Sequence, residues 1–371
     1  MEAAISIAKE AEKRKSEIEQ QRNVPKDIID ETKALSLSRL WVAKEYGGPQ
    51  MSVAEVMELW QNMAYHSGSL AWVTSITNCS SLISGFLPKK MAQEIFGSEQ
   101  SMVGGFAGPA GVATPGANGL NVTGSWSWGS GISHCTHILG GVRLMKDGNM
   151  VGAGITFFKP DEVSMIDNWH VVGMKGTYSI DYKVSDLLVS NGRWTSFPPS
   201  KPVIDEPLYR FSFLGALSLS VAAVGLGLAQ RAHDEIISLV KEKVTLGSDK
   251  PLSKQPMVQS KTGRIAGNLL AAKSLFYSTI SEAQKETENG VSSQAMKAQV
   301  RLTACTTTQL CLKVVRDAYE MAGGSAIWQA NKLEELHRDM HVVSQHGMTS
   351  NGNYRVAGSV SLGNSVPAFL L

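Results

Sequence analysis

Apolar residues recur every three to four positions near both ends of the chain and every second position in its middle. That change of period sets the expected order of elements. Within the first hundred residues Val53, Val56, Met57, Trp60 and Met63 share one helical face. Ser52 and Glu55 ahead of them form a capping box, each side chain meeting a backbone N–H that the helix start leaves unpaired. Pro25 suits the first position of a helix over 25–37, where a missing N–H costs nothing. A second helix is expected over 69–86, and Pro88 opens a short third that Gly97 stops.

From Ser101 to Val189 the glycines multiply and the period falls to two. Residues 120–123, 126–128, 138–144, 151–158 and 178–189 read as strands, with Lys146-Asp147-Gly148-Asn149 as a hairpin turn whose Gly and Asn tolerate positive φ. This spacing predicts a compact antiparallel sheet or barrel of roughly 90 residues. A connector with Pro198, Pro199, Pro202 and Pro207 follows, and then helical spacing returns. Met296, Val300, Ala304, Cys311, Val314, Ala318 and Met321 mark one face of a long helix that ends at Gly323-Gly324, and 246–256 is a loop within this half. The chain therefore reads as α+β in three segments: helical 1–98, β 99–205 and a helical bundle 206–371.

Composition changes this picture little. With 371 residues, 43% of them hydrophobic, the chain can bury a large core divided among two or three subdomains. A formal charge of +2 on scattered lysines and arginines argues against a nucleic-acid or membrane-surface protein; the charged run 9–22 is a solvated helix face. Cys79, Cys135, Cys305 and Cys311 lack metal spacing and read as buried free thiols in a reducing cytoplasm. The charged N-terminus has no apolar run of the kind a signal peptide carries. Residues 211–229 are uncharged and long enough to span a bilayer, but their Ser, Gly and Ala content suits the close-packed central helix of a bundle.

The densest group of titratable residues is Leu333-Glu-Glu-Leu-His-Arg-Asp-Met-His-Val-Val-Ser-Gln-His-Gly-Met-Thr349, three histidines at the end of a helix. His337 and His341 share a face at i, i+4 but lack the glutamate of HExxH, so a metal site is disfavoured against hydrogen-bonded helix-end histidines. Neither 104–108 nor Gly129-Ser130-Gly131 has the GxGxxG spacing of a dinucleotide fingerprint, although glycine within a strand also marks close approach of a ligand or backbone. Ser130 with His134 or His137 lacks a nucleophile elbow. Phe106, Trp126 and Trp128 beside this permissive backbone are either core residues or walls for a planar cofactor or aromatic substrate.

Helices, then a β module, then a four-helix bundle resembles the acyl-CoA dehydrogenase fold. The motifs that carry the resemblance are Ser69-Leu70-Ala71-Trp72-Val73, Gly124-Ser-Trp-Ser-Trp-Gly-Ser-Gly131 with His134, and Tyr319 to Gly324 followed by His337-Arg338-Asp339 and His346. Together they are most similar to the flavin-dependent monooxygenases built on that fold, the oxygenase components of two-component systems. Dehydrogenases of the fold take a substrate proton with a glutamate in the last helices. Here no glutamate follows Asp339, and the comparable stretch reads Ser344-Gln345-His346-Gly347-Met348.

The resemblance implies that FMN or FAD, reduced by a separate reductase, reacts with O2 to a C4a-hydroperoxide that oxygenates an aromatic ring, an amine or amino sugar, or a sulfur heterocycle. It implies Ser130 beside the flavin ring and His346 over its reactive face, polarising the adduct or deprotonating substrate. Phe106, Ala107, Trp128 and Gly129 would line the ring, and Lys243 would meet the phosphate in place of the usual arginine, without its bidentate fork. Gly323 and Gly324 would admit a neighbouring subunit's cofactor tail. Trp72, Asn78 and Ser80 would face the substrate; Ser80 or a neighbour stands where several phenol hydroxylases carry histidine. A cytoplasmic homotetramer is implied as well. The alternatives are a dehydrogenase or oxidase of the same fold, or a catalytically silent scaffold.

Overall fold

The computed structural model describes residues 1–197, 201–367 and 370; Pro198 and Pro199 of the expected connector lie outside them. The helices among these are α1 (Glu2–Lys13), α2 (Lys15–Gln21), α3 (Lys26–Ala34), α4 (Val53–His66), α5 (Gly68–Ser81), α6 (Lys89–Phe96), α7 (Pro207–Arg210), α8 (Phe213–Glu242), α9 (Pro256–Glu288), α10 (Gln294–Ala322), α11 (Lys332–Ser344) and α12 (Gly352–Ser361). Between α6 and α7 run β1 (Val103–Gly116), β2 (Gly119–Gly129), β3 (His137–Lys146), β4 (Asn149–Phe158), β5 (Ser164–Ile166), β6 (Ile180–Ser190) and β7 (Trp194–Ser196). Two compact units result: one of Met1–Ser52, Trp72–His170 and Lys175–Arg210, the other of Val53–Ala71, Val171–Met174 and Phe211–Leu371.

The first unit is built on one seven-stranded sheet in the order β5-β6-β2-β1-β3-β4-β7. It is not the purely antiparallel sheet expected from the turn spacing, because β1 pairs with β3 in parallel through Val103↔His137 to Ala113↔Leu144. The sequence of β1, Val-Gly-Gly-Phe-Ala-Gly-Pro-Ala-Gly, carries no alternation, and β1 is absent from the expected strands for that reason. Gly105 sits at φ +135°, and a Cβ there would fall 2.1 Å from the Leu139 carbonyl oxygen, so only glycine lets β1 pass β3 at this point. The expected hairpin joins β3 to β4, with its positive φ at Asp147 and Gly148 rather than at Asn149. Pro25 is the N-cap of α3, one residue outside the helix, since its ψ of 145° is extended.

Trp126 and Trp128 are two apart and would share a face of a regular strand. They do not, because the β2–β6 register shifts between Trp126 and Gly129 and Trp128 is held at φ +62°. Trp126 is consequently core: it stacks on Tyr182 at 5.3 Å, tilts against Phe158 at 5.4 Å and donates its indole N–H to the Gly141 carbonyl at 2.8 Å. Trp128 faces outward, 67% exposed.

In the second unit α8 is the central helix, packed against α4, α10 and α11. It is long and apolar enough to cross a membrane, and 78% of its most apolar window is buried in the protein, as the bundle reading expects. At Gly227 the α4 backbone comes so close that an added Cβ would lie 2.3 Å from the Gln61 carbonyl oxygen. Arg338 pairs with Glu334 at 2.5 Å and donates to the Val172 carbonyl at 2.6 Å, while Asp339 accepts the Met174 N–H at 2.5 Å. The Arg-Asp pair of the polar helix end thus fastens 171–174 onto α11. All four cysteines are buried, and none is joined in a disulfide.

Candidate functional site

Two clusters hold the residues that the sequence singles out. In the first unit the turn after β2 presents Ser130, 6% exposed. Its hydroxyl accepts the indole N–H of Trp72 at 3.1 Å and lies 2.7 Å from the Ser179 hydroxyl, which lies 2.7 Å from that of Thr177. The direction of this chain sets what Ser130 can do. If protons point from Thr177 through Ser179, Ser130 accepts twice and its own O–H turns to a bound group; if they point the other way, that O–H is spent on Ser179. Ser179 and Thr177 carry no motif, so sequence reasoning misses them.

Phe106 and Ala107 are half-buried on β1, and the Phe106 N–H donates to the Tyr182 hydroxyl at 2.7 Å, which itself donates to the Leu139 carbonyl at 2.5 Å. Phe106 meets Trp128 edge-on at 6.3 Å. An exposed indole at positive φ carries a backbone cost of about 1–3 kcal/mol. Gly129 is buried, and a side chain there would press on Ile132. Asn78 and Ser80 are buried on α5; the Asn78 side-chain oxygen accepts the Trp41 N–H at 3.2 Å, and its amide nitrogen has no partner among the described residues. His134 engages the Asn23 carbonyl oxygen at 2.9 Å rather than Ser130, and burial followed by the Lys33 charge pushes its pKa down to about 4.

The second cluster has two parts. The Lys243 ammonium donates to the Ala322 carbonyl and the Ser325 hydroxyl, both at 2.8 Å, capping the C-terminus of α10. Gly323, at φ +59°, and Gly324 follow directly and are exposed, with nothing within 4 Å of an added Cβ. The fold thus gathers Lys243, Gly323 and Gly324 into one cationic, open ledge. His337 stacks on Tyr319 at 4.1 Å, and His341 uses Nδ1 on the His337 carbonyl at 2.8 Å.

His346 caps the short turn Gly347–Thr349, its Nδ1 accepting the Met348 N–H at 3.2 Å. A backbone N–H can only donate, so Nδ1 is unprotonated and Nε2 carries the ring hydrogen. Burial first, then the Arg301 cation, pushes the pKa of His346 down to about 4, and the ring is neutral at physiological pH. It is therefore a hydrogen-bond donor through Nε2.

Each unit by itself carries features that a flavin could use. The first unit offers an exposed indole, a phenyl edge and a hydroxyl able to turn outward; the second offers an ammonium beside bare backbone, suited to a phosphate-bearing tail.

Comparison with known proteins agrees. Residues 2–94 match the acyl-CoA dehydrogenase N-terminal domain and 219–351 its C-terminal domain. An indole-3-acetate monooxygenase of Acinetobacter baumannii is 29% identical over 360 residues, 95% of this chain and 92% of that protein. A flavin-dependent monooxygenase, the oxygenase subunit HsaA of Mycobacterium tuberculosis, is 23% identical over 93% of this chain and 90% of its own. The solved structure of XiaF from Streptomyces sp., in complex with FADH2 and glycerol, matches with a TM-score of 0.90 at 22% identity, covering 99% of this chain and 98% of that one.

Proposed function

The chain belongs to the acyl-CoA dehydrogenase family, in its branch of reduced-flavin-dependent monooxygenases, and from that premise we propose that it oxygenates a planar aromatic substrate of the indole type. The substrate class is supported by the relative named for indole-3-acetate, which aligns along almost the whole chain. The observation that carries oxygenation over dehydrogenation is His346. A neutral imidazole donor stands in the region where the dehydrogenases keep a carboxylate base, and no Asp or Glu follows Asp339.

When bound, reduced flavin supplies the electrons that let one atom of O2 enter the substrate while the other leaves as water. The chain's own residues then have defined tasks. Ser130 would donate its O–H to the flavin ring when Ser179 donates to Ser130. Trp128 and Phe106 would cover the ring and exclude water. Lys243, with its third N–H, would meet a flavin phosphate, and the ledge at Gly323 and Gly324 would admit a neighbouring subunit's cofactor tail. The imidazole Nε2–H of His346 would stabilise negative charge developing on oxygen, a role worth on the order of 10²–10³ in rate. Trp72, Asn78 and Ser80 would line the substrate side, where the Asn78 amide nitrogen, without a partner among the described residues, would donate.

An "oxygenase subunit" among the relatives supports a separate flavin reductase as partner. We extend the same reading to a cytoplasmic homotetramer, which sedimentation would test. The functional test is affinity and turnover. The protein is expected to bind reduced flavin at least about tenfold more tightly than oxidised, worth roughly 1.4 kcal/mol, and to turn over only when reduced flavin is supplied. A protein that purifies with tightly held oxidised flavin and reduces a dye with an acyl-CoA contradicts the proposal.

A further inference from the structure

Arg301 on α10 is 4% exposed, yet no carboxylate among the described residues pairs with it. Burial pushes its pKa down to about 10, and its Nε has no acceptor among the described residues. A buried cation without a counter-ion is costly, and an apolar side chain of similar size would fill the space for less. What the guanidinium adds is direction, because its donors form a rigid fork.

One arm of the fork, Nη1, donates to the Ser218 hydroxyl at 2.6 Å and the Leu214 carbonyl at 3.2 Å, both on α8, and meets the Met348 sulfur at 3.0 Å. The other, Nη2, donates to the carbonyl oxygen of Asn353, which is 4% exposed at the start of α12. Because that oxygen faces a donor, the amide of Asn353 can take only one of its two orientations. Its Nδ2 then faces the turn and donates to the carbonyls of Gly347 at 3.2 Å, Met348 at 3.1 Å and Ser350 at 3.0 Å. Those three carbonyls fix the peptide planes of the turn and therefore aim the Met348 N–H at His346 Nδ1. Each step follows from which partner is able to donate.

We propose that Arg301 and Asn353 are positioning residues that lock the turn after α11, committing His346 Nδ1 to acceptance and so presenting the ring's hydrogen at Nε2. Among the described residues, these charged and titratable groups surround the turn. From α10 come Arg301 and Cys305, the latter donating to the Thr349 carbonyl at 3.1 Å, and from α12 comes Tyr354. Cys305 and Tyr354 are both pushed up, chiefly by burial, and stay uncharged. To this cluster α8 contributes the Ser218 hydroxyl and the Leu214 carbonyl, and on α11 His341 is engaged with the His337 carbonyl. Arg301 is a charge that acts on the ring, second to burial, and it favours the neutral form.

The inference rests on the reading of His346 as a working donor, but its test needs no flavin and no turnover. Flavin-free protein labelled with ¹⁵N-histidine is titrated by long-range ¹H–¹⁵N NMR, with the His346 signals identified by their loss in His346→Gln. The wild type is expected to show Nε2–H with an unprotonated Nδ1 and a midpoint well below the ordinary value of about 6.5. Asn353→Ala should mix the tautomers while the midpoint stays low, since Arg301 keeps its charge. Arg301→Met should mix them and raise the midpoint toward 6.5. If that variant does not fold, Arg301→Lys and Ser218→Ala decide: each should mix the tautomers without raising the midpoint. A protonated Nδ1 in the wild type, or a tautomer unmoved in every variant that folds, overturns the proposal. If the tautomer behaves as expected yet the protein oxygenates nothing, the functional reading fails and the positioning role stands.

Discussion

Replacing Ser130 by Ala tests the hydroxyl cluster most sharply when it is paired with Trp72→Phe. Ser130 and Trp72 are 6% and 7% exposed and joined at 3.1 Å, so Ser130→Ala strips a buried indole N–H of its hydroxyl acceptor. Such a loss costs about 1–3 kcal/mol. The loss of Ser179 as a partner adds little, because Ser179 keeps Thr177 at 2.7 Å. Trp72→Phe removes the donor and some ring volume, for about 1–2 kcal/mol of cavity cost. In the double variant neither donor nor acceptor remains, and the two costs should fall short of their sum by about 1 kcal/mol or more. Equilibrium urea unfolding of the four proteins, followed by circular dichroism, measures that difference. Titration with reduced flavin separates packing from binding. Ser130→Ala should weaken affinity by about tenfold, the worth of one hydrogen bond, and Trp72→Phe by no more than about twofold. Costs that add within about 0.5 kcal/mol, with equal effects on affinity, refute the assignment of Ser130 as the shared hydroxyl.

Gly227→Ala places a Cβ 2.3 Å from the Gln61 carbonyl oxygen and should destabilise by about 1–3 kcal/mol or more, read as a lower urea midpoint with an unchanged slope. Lys243→Met leaves the Ala322 carbonyl and the Ser325 hydroxyl without their cation; amide exchange in the last turn of α10 should quicken and reduced-flavin affinity fall about tenfold. Lys243→Arg is expected to restore most of both. His134 and His346 are each pushed down from about 6.5 to about 4, so below 6.5 the unfolded chain takes up protons that the folded chain refuses. The stability these rings confer is intact above pH 6.5 and is lost as the pH falls to 4, on the order of 2–3 kcal/mol per ring; unfolding midpoints flat across that range would contradict this.

The order of helices, sheet and bundle is legible because each element carries its own period, and Pro88, Gly97 and Gly323 mark ends that the structure keeps. Residues 211–229 were ambiguous by composition alone, since a buried bundle helix and a membrane span look the same until neighbours are known; α4, α10 and α11 supply them. What failed to show is what depends on distant partners. The strand β1 has no alternation because its glycines allow β3 to approach, and Trp126 and Trp128 look equivalent until the register shift parts them. Ser130 stands out in its motif, but Ser179 and Thr177 are ordinary hydroxyls 49 and 47 positions away. Arg301 and Asn353 look like any charged and polar residues on helices. Only burial without a counter-ion marks the arginine, and burial is invisible in a sequence.

The central claim is that this chain inserts oxygen rather than removes hydrogen. Anaerobically reduced flavin bound to the protein, mixed with ¹⁸O2 and indole-3-acetate or a related planar aromatic, tests it through the mass of the product. One ¹⁸O atom in the product, lost when His346 is replaced by Ala, is the expected result. Product without label, or no product beside dye reduction by an acyl-CoA, contradicts it.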